Sequence, residues 1–394
     1  MMTLAVLAVV AAAAYLAFYF STDRLRQFGG EPTGERLERM LQSPNYNGNE
    51  FVNQYDVSLS FTFGEYVSMF REFLFGRDRS PGVAIPVNKL KREDFASASD
   101  NDLIFTWMSH STILLEIDGL KMLTDPVWSE RVSPSSIYGP KRFHEMPVSL
   151  EQLPRLDAVI ISHDHYDHLD MKTVQYLAQA GTIFVTTLGI GAHLEEWMID
   201  PSQIVELDWW EEYQLNDQFR LICTPSQHFS GRGLFDGRNK TLWSTWTIVG
   251  PKHRVFFSGD TGEIPEFKEI GDRFGPFDLT LMKIGAYSDM WPDIHLTPEQ
   301  SVRLHQQLDG QVFMPIHWGS FDLALHDWDE PISDLVRIAG QEDVILVTPF
   351  PGQRISSDSL PPVDHWWLPP AANEHDERFI KVLSHTPENV DTSM

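Results

Sequence analysis

The pattern H-x-H-x-D-H at His163, His165, Asp167 and His168 puts three imidazoles and a carboxylate into six residues. It opens directly after the apolar run Ala158-Val159-Ile160-Ile161, which reads as a buried strand. His163 and His165 stand two apart, so in an extended segment they share a face. Asp167 and His168 follow as the chain turns and can reach a second point. Neutral imidazole and carboxylate suit zinc or a similar borderline metal, and two such points predict a two-metal site.

One loop cannot supply every ligand of a metal pair, and three other strand ends offer candidates. His228 follows Leu221-Ile222-Cys223, Asp260 ends the segment Val255-Phe256-Phe257-Ser258-Gly259-Asp260, and His317 ends Val312-Phe313-Met314-Pro315-Ile316-His317. Each is the first strong ligand after a hydrophobic strand, where open α/β architectures place their chemistry. Any one of them alone would read as an ordinary structural residue. Together they predict one centre.

The combined pattern resembles the metallo-β-lactamase superfamily over roughly residues 100 to 355. Within it, the N-acylphosphatidylethanolamine phospholipase D-like group is most similar. The similarity rests on Trp107–Thr112, Leu123–Pro126, Phe267–Asp278, Ile284–Tyr287 and His317–Phe321. The resemblance implies an α/β fold, a four-layer αβ/βα sandwich. It implies that His163, His165 and His228 hold one metal, that Asp167, His168 and His317 hold the other, and that Asp260 bridges. The cofactor expected is two Zn2+, with Mn2+ or Fe2+ as other divalent occupants. A redox di-iron role is disfavoured, because those relatives carry glutamate where this chain keeps His165.

Two divalent cations about 3.5–4 Å apart can share a hydroxide that attacks phosphorus or a carbonyl carbon. The implied reaction is phosphodiester hydrolysis of the phospholipase D type on N-acylphosphatidylethanolamine-like lipids. A lactonase or other ester hydrolase of the same fold is the first alternative; a non-catalytic metal-stabilised binding protein is the second. Asp167 is expected to orient the nucleophile as well as ligate. His295 is expected to assist the leaving group, since it precedes a helix start at Thr297-Pro298 and the resembling group carries a histidine there. His110, Lys141, Arg142 and His326 are further candidates for substrate contact. Trp209, Trp210, Trp291, Trp318 and Trp328 fall near predicted loops, where they would line a lipid-accepting cleft.

The net charge of −26 argues against nucleic acid as a partner, because a phosphate backbone wants a basic surface. It also disfavours broad adhesion to anionic lipid. The single cysteine, Cys223, cannot form an internal disulfide and reads as a small core residue. Leu4 to Phe20 is an unbroken apolar stretch, and with its neighbours it is long enough to span a bilayer. No basic residue precedes it and no clean cleavage site follows, so residues 1–22 predict a retained single-pass membrane anchor rather than a signal peptide. Arg24, Arg26, Arg36 and Arg39 follow it, which favours a cytoplasmic catalytic domain. The expected organisation continues with an N-terminal extension at 23–95, a hydrolase domain at 96–355 and a Pro-rich, acidic tail at 356–394. Within the extension, Phe61 to Phe75 has aromatic residues partly at helical spacing, either a helix that packs on the main domain or a membrane-facing or substrate-entry helix. Helix Met171–Gln179 should start directly after the ligand loop with Asp170 as its cap.

Overall fold

Short, largely apolar strands build two mixed sheets, each seven-stranded among the described residues. The computed structural model describes residues 26–57, 64, 79–96, 99, 102–233 and 238–368. In the first sheet β1 (Leu103–Ser109), β2 (Thr112–Ile117), β3 (Leu120–Thr124), β4 (Ala158–Ile160), β5 (Ile183–Thr187) and β6 (Ile204–Leu207) lie side by side. β1 to β3 pair antiparallel, and β3 to β6 pair parallel. The second sheet runs β7 (Glu212–Asn216), β8 (Phe219–Thr224), β9 (Thr245–Val249), β10 (Arg254–Phe257), β11 (Phe277–Lys283), β12 (Gly310–Ile316) and β13 (Ile345–Leu346). Its first four strands are antiparallel, and β10 to β13 are parallel. β14 (Arg354–Ser356) returns to the first sheet, antiparallel to β1.

Alternate residues of the first sheet enter different cores. Ile113, Leu115, Met122, Ile160 and Val185 pack in the cluster shared with Leu221, Trp246, Val255 and Leu279 of the second sheet. Leu114, Leu123, Val159 and Phe184 pack on the opposite face, against Val174 and Leu177 of α2 (Met171–Ala178) and Leu194 of α3 (Ile190–Glu196). Each fully buried aliphatic side chain contributes about 1.5–3 kcal/mol, so a one-residue slip of any inner strand would forfeit several such terms. On the second sheet, α4 (Glu266–Phe274), α5 (Pro298–Gln307) and α6 (Glu330–Gln341) supply Phe267, Ile270, Val302, Leu304, Ile332 and Leu335 to the core.

Two helices start where the chain has just left the site. α2 begins straight after the histidine loop, and Asp170 caps it by accepting the Lys172 N–H. α5 begins three residues after His295, with a reciprocal Thr297–Gln300 capping box and Pro298 in its first turn. Both starts match the sequence expectation. The remaining described helix, α1 (Gly34–Gln42), is joined to the body through Arg36, which pairs with Glu195 at 2.8 Å. Cys223 is buried in β8.

The apolar stretch Leu4 to Phe20 lies outside the described residues, as does Phe61 to Phe75 apart from Gly64 and the tail from 369 onward. No helix among the described residues is long and apolar enough to cross a membrane. The start of the tail packs on the body: Trp366 stacks on Trp318, and Trp367 meets the same indole edge-on.

Candidate metal centre

His163, His165 and His228 present ring nitrogens that all lie within 4.8 Å of one another. His163 Nε2 and His228 Nε2 stand 2.9 Å and 3.2 Å from His165 Nδ1. Neighbouring groups fix which nitrogen keeps its lone pair. Ser162 Oγ–H donates to Asp125 Oδ2 at 2.6 Å, so the same oxygen accepts from His163 Nδ1–H at 2.9 Å and leaves Nε2 free. His228 Nδ1–H donates to the Ile294 carbonyl at 3.2 Å, with the same result. The lone pairs of His163 and His228 therefore converge beside His165 Nδ1.

Asp167, His168, His317 and His110 form a second group whose ligand atoms likewise lie within 4.8 Å of one another. His168 Nδ1–H donates to Asp125 Oδ2 at 2.5 Å, which turns its Nε2 toward Asp167 Oδ2 at 3.3 Å. His317 Nε2 lies 3.4 Å from the same oxygen, and His110 Nε2–H donates to it at 3.0 Å. His110 and His317 have φ of 50° and 61°, and Asp125 has φ of 31°. Left-handed backbone at a non-glycine residue costs about 1–3 kcal/mol and clusters at functional sites. The His317 N–H donates to the His110 carbonyl, and the His110 N–H to Ser320 Oγ, which hold this geometry in place.

Asp260 lies between the groups. Its Oδ2 is 3.1 Å from His317 Nε2 and 3.7 Å from His228 Nε2, one imidazole of each group, while Oδ1 is 3.5 Å from His168 Nε2. Gly259, with φ of 49°, makes this approach possible: a Cβ there would stand 2.5 Å from Ser162 Cβ. His168 Nε2, His317 Nε2 and Asp260 Oδ1 are buried without hydrogen-bond partners. Such atoms are costly unless something else satisfies them. Burial opposes charge on His168. The carboxylates Asp260, Asp167 and Asp125 outweigh it and hold the ring well above the usual histidine range. Burial likewise opposes Asp167 and Asp260, yet His168 and His317 foremost among their neighbours hold both carboxylates well below their usual range. Buried anions facing orphaned imidazole nitrogens fit divalent cations.

Lys283, at the end of β11, was not foreseen. It is fully buried, its Nζ is 3.3 Å from Asp260 Oδ1, and burial pushes its pKa down to about 8. In sequence it reads as an ordinary strand-end lysine. The only signal was its position, which matches that of the candidate ligands on the neighbouring strands. Asp125 stands out in the sequence only as part of the Leu123–Pro126 motif; in the fold it orients both His168 and Ser162.

The other expected residues divide. His295 joins the centre, with Nδ1 3.9 Å from Asp260 Oδ2 and its side chain 13% exposed. His110 and His326 line a small pocket beside His317, together with Arg79, Trp318, Phe321 and Trp328. His326 spends both nitrogens on backbone, accepting from Ala286 N–H and donating to the Asp327 carbonyl. Arg142 turns inward and donates to the carbonyls of Val127 and Ser129, and Lys141 is exposed and paired with Glu130. The fold thus gives Arg142 to loop bracing and brings neither residue to the cleft wall. Trp209 is buried with its indole N–H on the Trp243 carbonyl, and Trp210 lies beneath the Arg273 guanidinium. Trp291 donates to the Ala286 carbonyl.

The fold and the donor set define a metal-dependent hydrolase of the metallo-β-lactamase class. Residues 121–318 match the beta-lactamase superfamily domain, and the chain belongs to that superfamily. An uncharacterised protein of Mycobacterium tuberculosis is 45% identical over 330 residues, covering 83% of this chain and 88% of that one. The N-acyl-phosphatidylethanolamine-hydrolyzing phospholipase D 1 of Caenorhabditis elegans is 37% identical over 280 residues, covering 68% and 77%. Among solved structures, the metallo hydrolase Igni18 of Ignicoccus hospitalis shares the fold with a TM-score of 0.51 at 20% identity, covering 65% of this chain and 98% of that one.

Proposed function

We propose that this chain is a two-metal phosphodiesterase of the phospholipase D type that acts on N-acylphosphatidylethanolamine-like lipids. The observation that carries the reading is the pair of donor groups sharing Asp260. His163, His165 and His228 would hold one cation, and Asp167, His168 and His317 the other, with Asp260 common to both. Imidazole-rich donors suit zinc, with Mn2+ or Fe2+ as alternatives. Two such cations supply Lewis acidity toward a phosphoryl oxygen and bring the ionisation of water near neutral pH.

The chain's own groups do the rest. Asp167 Oδ2, steadied by His110 Nε2–H, is placed to accept a hydrogen bond from the attacking water. Burial, and next to it the Lys283 charge, holds His295 well below the usual histidine range. Its Nδ1 is buried and the ring is partly exposed, so the opposite edge faces the opening. A neutral ring there serves as hydrogen-bond donor to the leaving oxygen rather than as a stored proton. Phe321, Leu323, Ala324 and Trp328 give the cleft an apolar wall, and Arg79, paired with Asp322 at 2.9 Å, adds a cation. Such a lining suits an anionic diester carrying hydrocarbon.

The relative in Caenorhabditis elegans supports the lipid class, and the N-terminal apolar stretch supports a membrane tether. Immediately after that stretch, the Arg26 carbonyl accepts from Trp197 Nε1. The Gln27 carbonyl accepts from Tyr166 O–H at 3.1 Å and Arg232 Nε at 2.8 Å. Tyr166 belongs to the histidine loop, so a tether would hold that loop near the bilayer. Removing residues 1–22 should move the protein from the membrane fraction to the soluble one while hydrolysis of a soluble diester continues. Persistent membrane association after the deletion would refute the tether.

The deciding assay offers N-acylphosphatidylethanolamine in detergent micelles, bis(p-nitrophenyl) phosphate and a simple lactone to protein of measured metal content. Metal-dependent release of an N-acylethanolamine supports the reading. Turnover of the small diester alone keeps the phosphodiesterase and removes the lipid. Lactone turnover alone replaces it with an ester hydrolase.

A further inference from the structure

Lys283 is a buried cation placed among residues that should themselves attract cations. Its backbone leaves no choice of position: Lys283 N–H donates to Ser258 Oγ, and the Lys283 carbonyl accepts from Ser301 Oγ. The side chain is fully buried, and Nζ has no hydrogen-bond partner closer than its 3.3 Å approach to Asp260 Oδ1. A lysine kept only for packing would place its chain among apolar neighbours and turn its head to water. This one does the opposite.

The two oxygens of Asp260 have different surroundings. Oδ1 faces Lys283 Nζ and His168 Nε2; Oδ2 faces His228 Nε2, His317 Nε2 and His295 Nδ1. An ammonium on Oδ1 fixes the carboxylate rotation and leaves Oδ2 as the oxygen between the groups. Two divalent cations against two ligating carboxylates already leave the centre positive, so Lys283 adds charge where charge is not needed for metal binding. Beyond fixing Asp260, its charge is useful to an anion that arrives later.

Resting on the two-metal reading above, we propose that Lys283 is a positioning residue whose ammonium sets the bridging oxygen of Asp260 and weakens the hold on metal in favour of an anionic substrate. Lys283 touches no substrate; it acts through Asp260 and through its field.

The consequence is a pair of opposed effects. Lys283→Met and Lys283→Gln should bind metal roughly tenfold tighter or more in chelator competition, because a like charge is gone. Their kcat/KM on bis(p-nitrophenyl) phosphate should fall by about tenfold or more. Lys283→Arg, which keeps the charge, should recover most of both. A structural lesion would instead lower metal affinity and kcat/KM together. That result in both neutral variants, or no change in either quantity, would overturn the proposal. Melting curves of the metal-loaded variants identify a variant that has not folded, and the two neutral side chains differ enough in shape for one to serve if the other fails. Wild-type protein that binds no metal in the same competition would remove the two-metal reading itself, a result separable from any behaviour of Lys283.

Discussion

His163 and His168 each give Nδ1–H to a fixed oxygen, so the lone pairs that point inward are set before any metal arrives. Asp260 has no such latitude, because its two oxygens serve both groups at once. Asp260→Asn should therefore strip metal from the protein and reduce hydrolysis to background. Retention of both metals, measured by elemental analysis, with normal turnover would contradict its assignment. His295→Ala removes a side chain that groups with His228 and Asp260 but belongs to neither of the two main donor groups. Metal content should stay at the wild-type level while kcat falls by about 10²-fold. An unchanged rate would return His295 to a plain loop residue. The seven candidate donors were legible because their types are rare and their spacing after apolar runs is demanding. Lys283 was not, because burial of an ammonium depends on where β11 ends relative to Asp260, a three-dimensional fact. Arg142 failed in the other direction. A basic pair in a loop suggests phosphate, yet this guanidinium braces the carbonyls of Val127 and Ser129.

Strand ends carry the chemistry because adjacent strands bring their last residues together. β10, β11 and β12 pair in parallel register and finish near Asp260, Lys283 and His317, whose separation in sequence is large. The apolar runs forecast most of these strands, and the caps forecast the starts of α2 and α5. Topology was not readable from periodicity. Nothing in Arg354–Ser356 announces that β14 crosses back to pair with β1 of the other sheet. The turn after β10 is where an element fails first. Gly259→Ala would put a methyl group against Ser162 and strain a left-handed residue. The turn must then withdraw, carrying Asp260 from the histidine loop. Metal affinity should fall by about 10-fold or more, the scale of a disturbed supporting group. Far-UV circular dichroism should be unchanged. Wild-type affinity in a folded Gly259→Ala protein would show that the turn tolerates the extra atom.

At the scale of the whole molecule, stability should depend on pH through histidines remote from the candidate ligands. His305 of α5 is buried against β11, with Nδ1 2.7 Å from Thr280 Oγ1, and burial pushes its pKa down to about 4. His144 is buried beside Ser109 and is also pushed down to about 4, again by burial. An unfolded histidine titrates near 6.5, so between these values the unfolded chain binds the proton and the folded chain does not. Stability then rises with pH across that window, and acidification from about 6.5 to about 4 removes it at up to about 1.4 kcal/mol per pH unit for each ring. Below the folded value the loss from these rings levels off, and above about 7 they contribute no slope. Acid also releases metal, which would mask the effect in the wild type alone, so the informative quantity is a difference. His305→Gln keeps a polar partner for Thr280 but cannot be protonated. Its stability loss between pH 7 and 4.5, read from urea unfolding of metal-free protein, should be smaller than that of the wild type by about 1–3 kcal/mol. Parallel curves for the two proteins would mean that His305 is protonated in the folded state with little penalty and that its burial does not govern the acid limit.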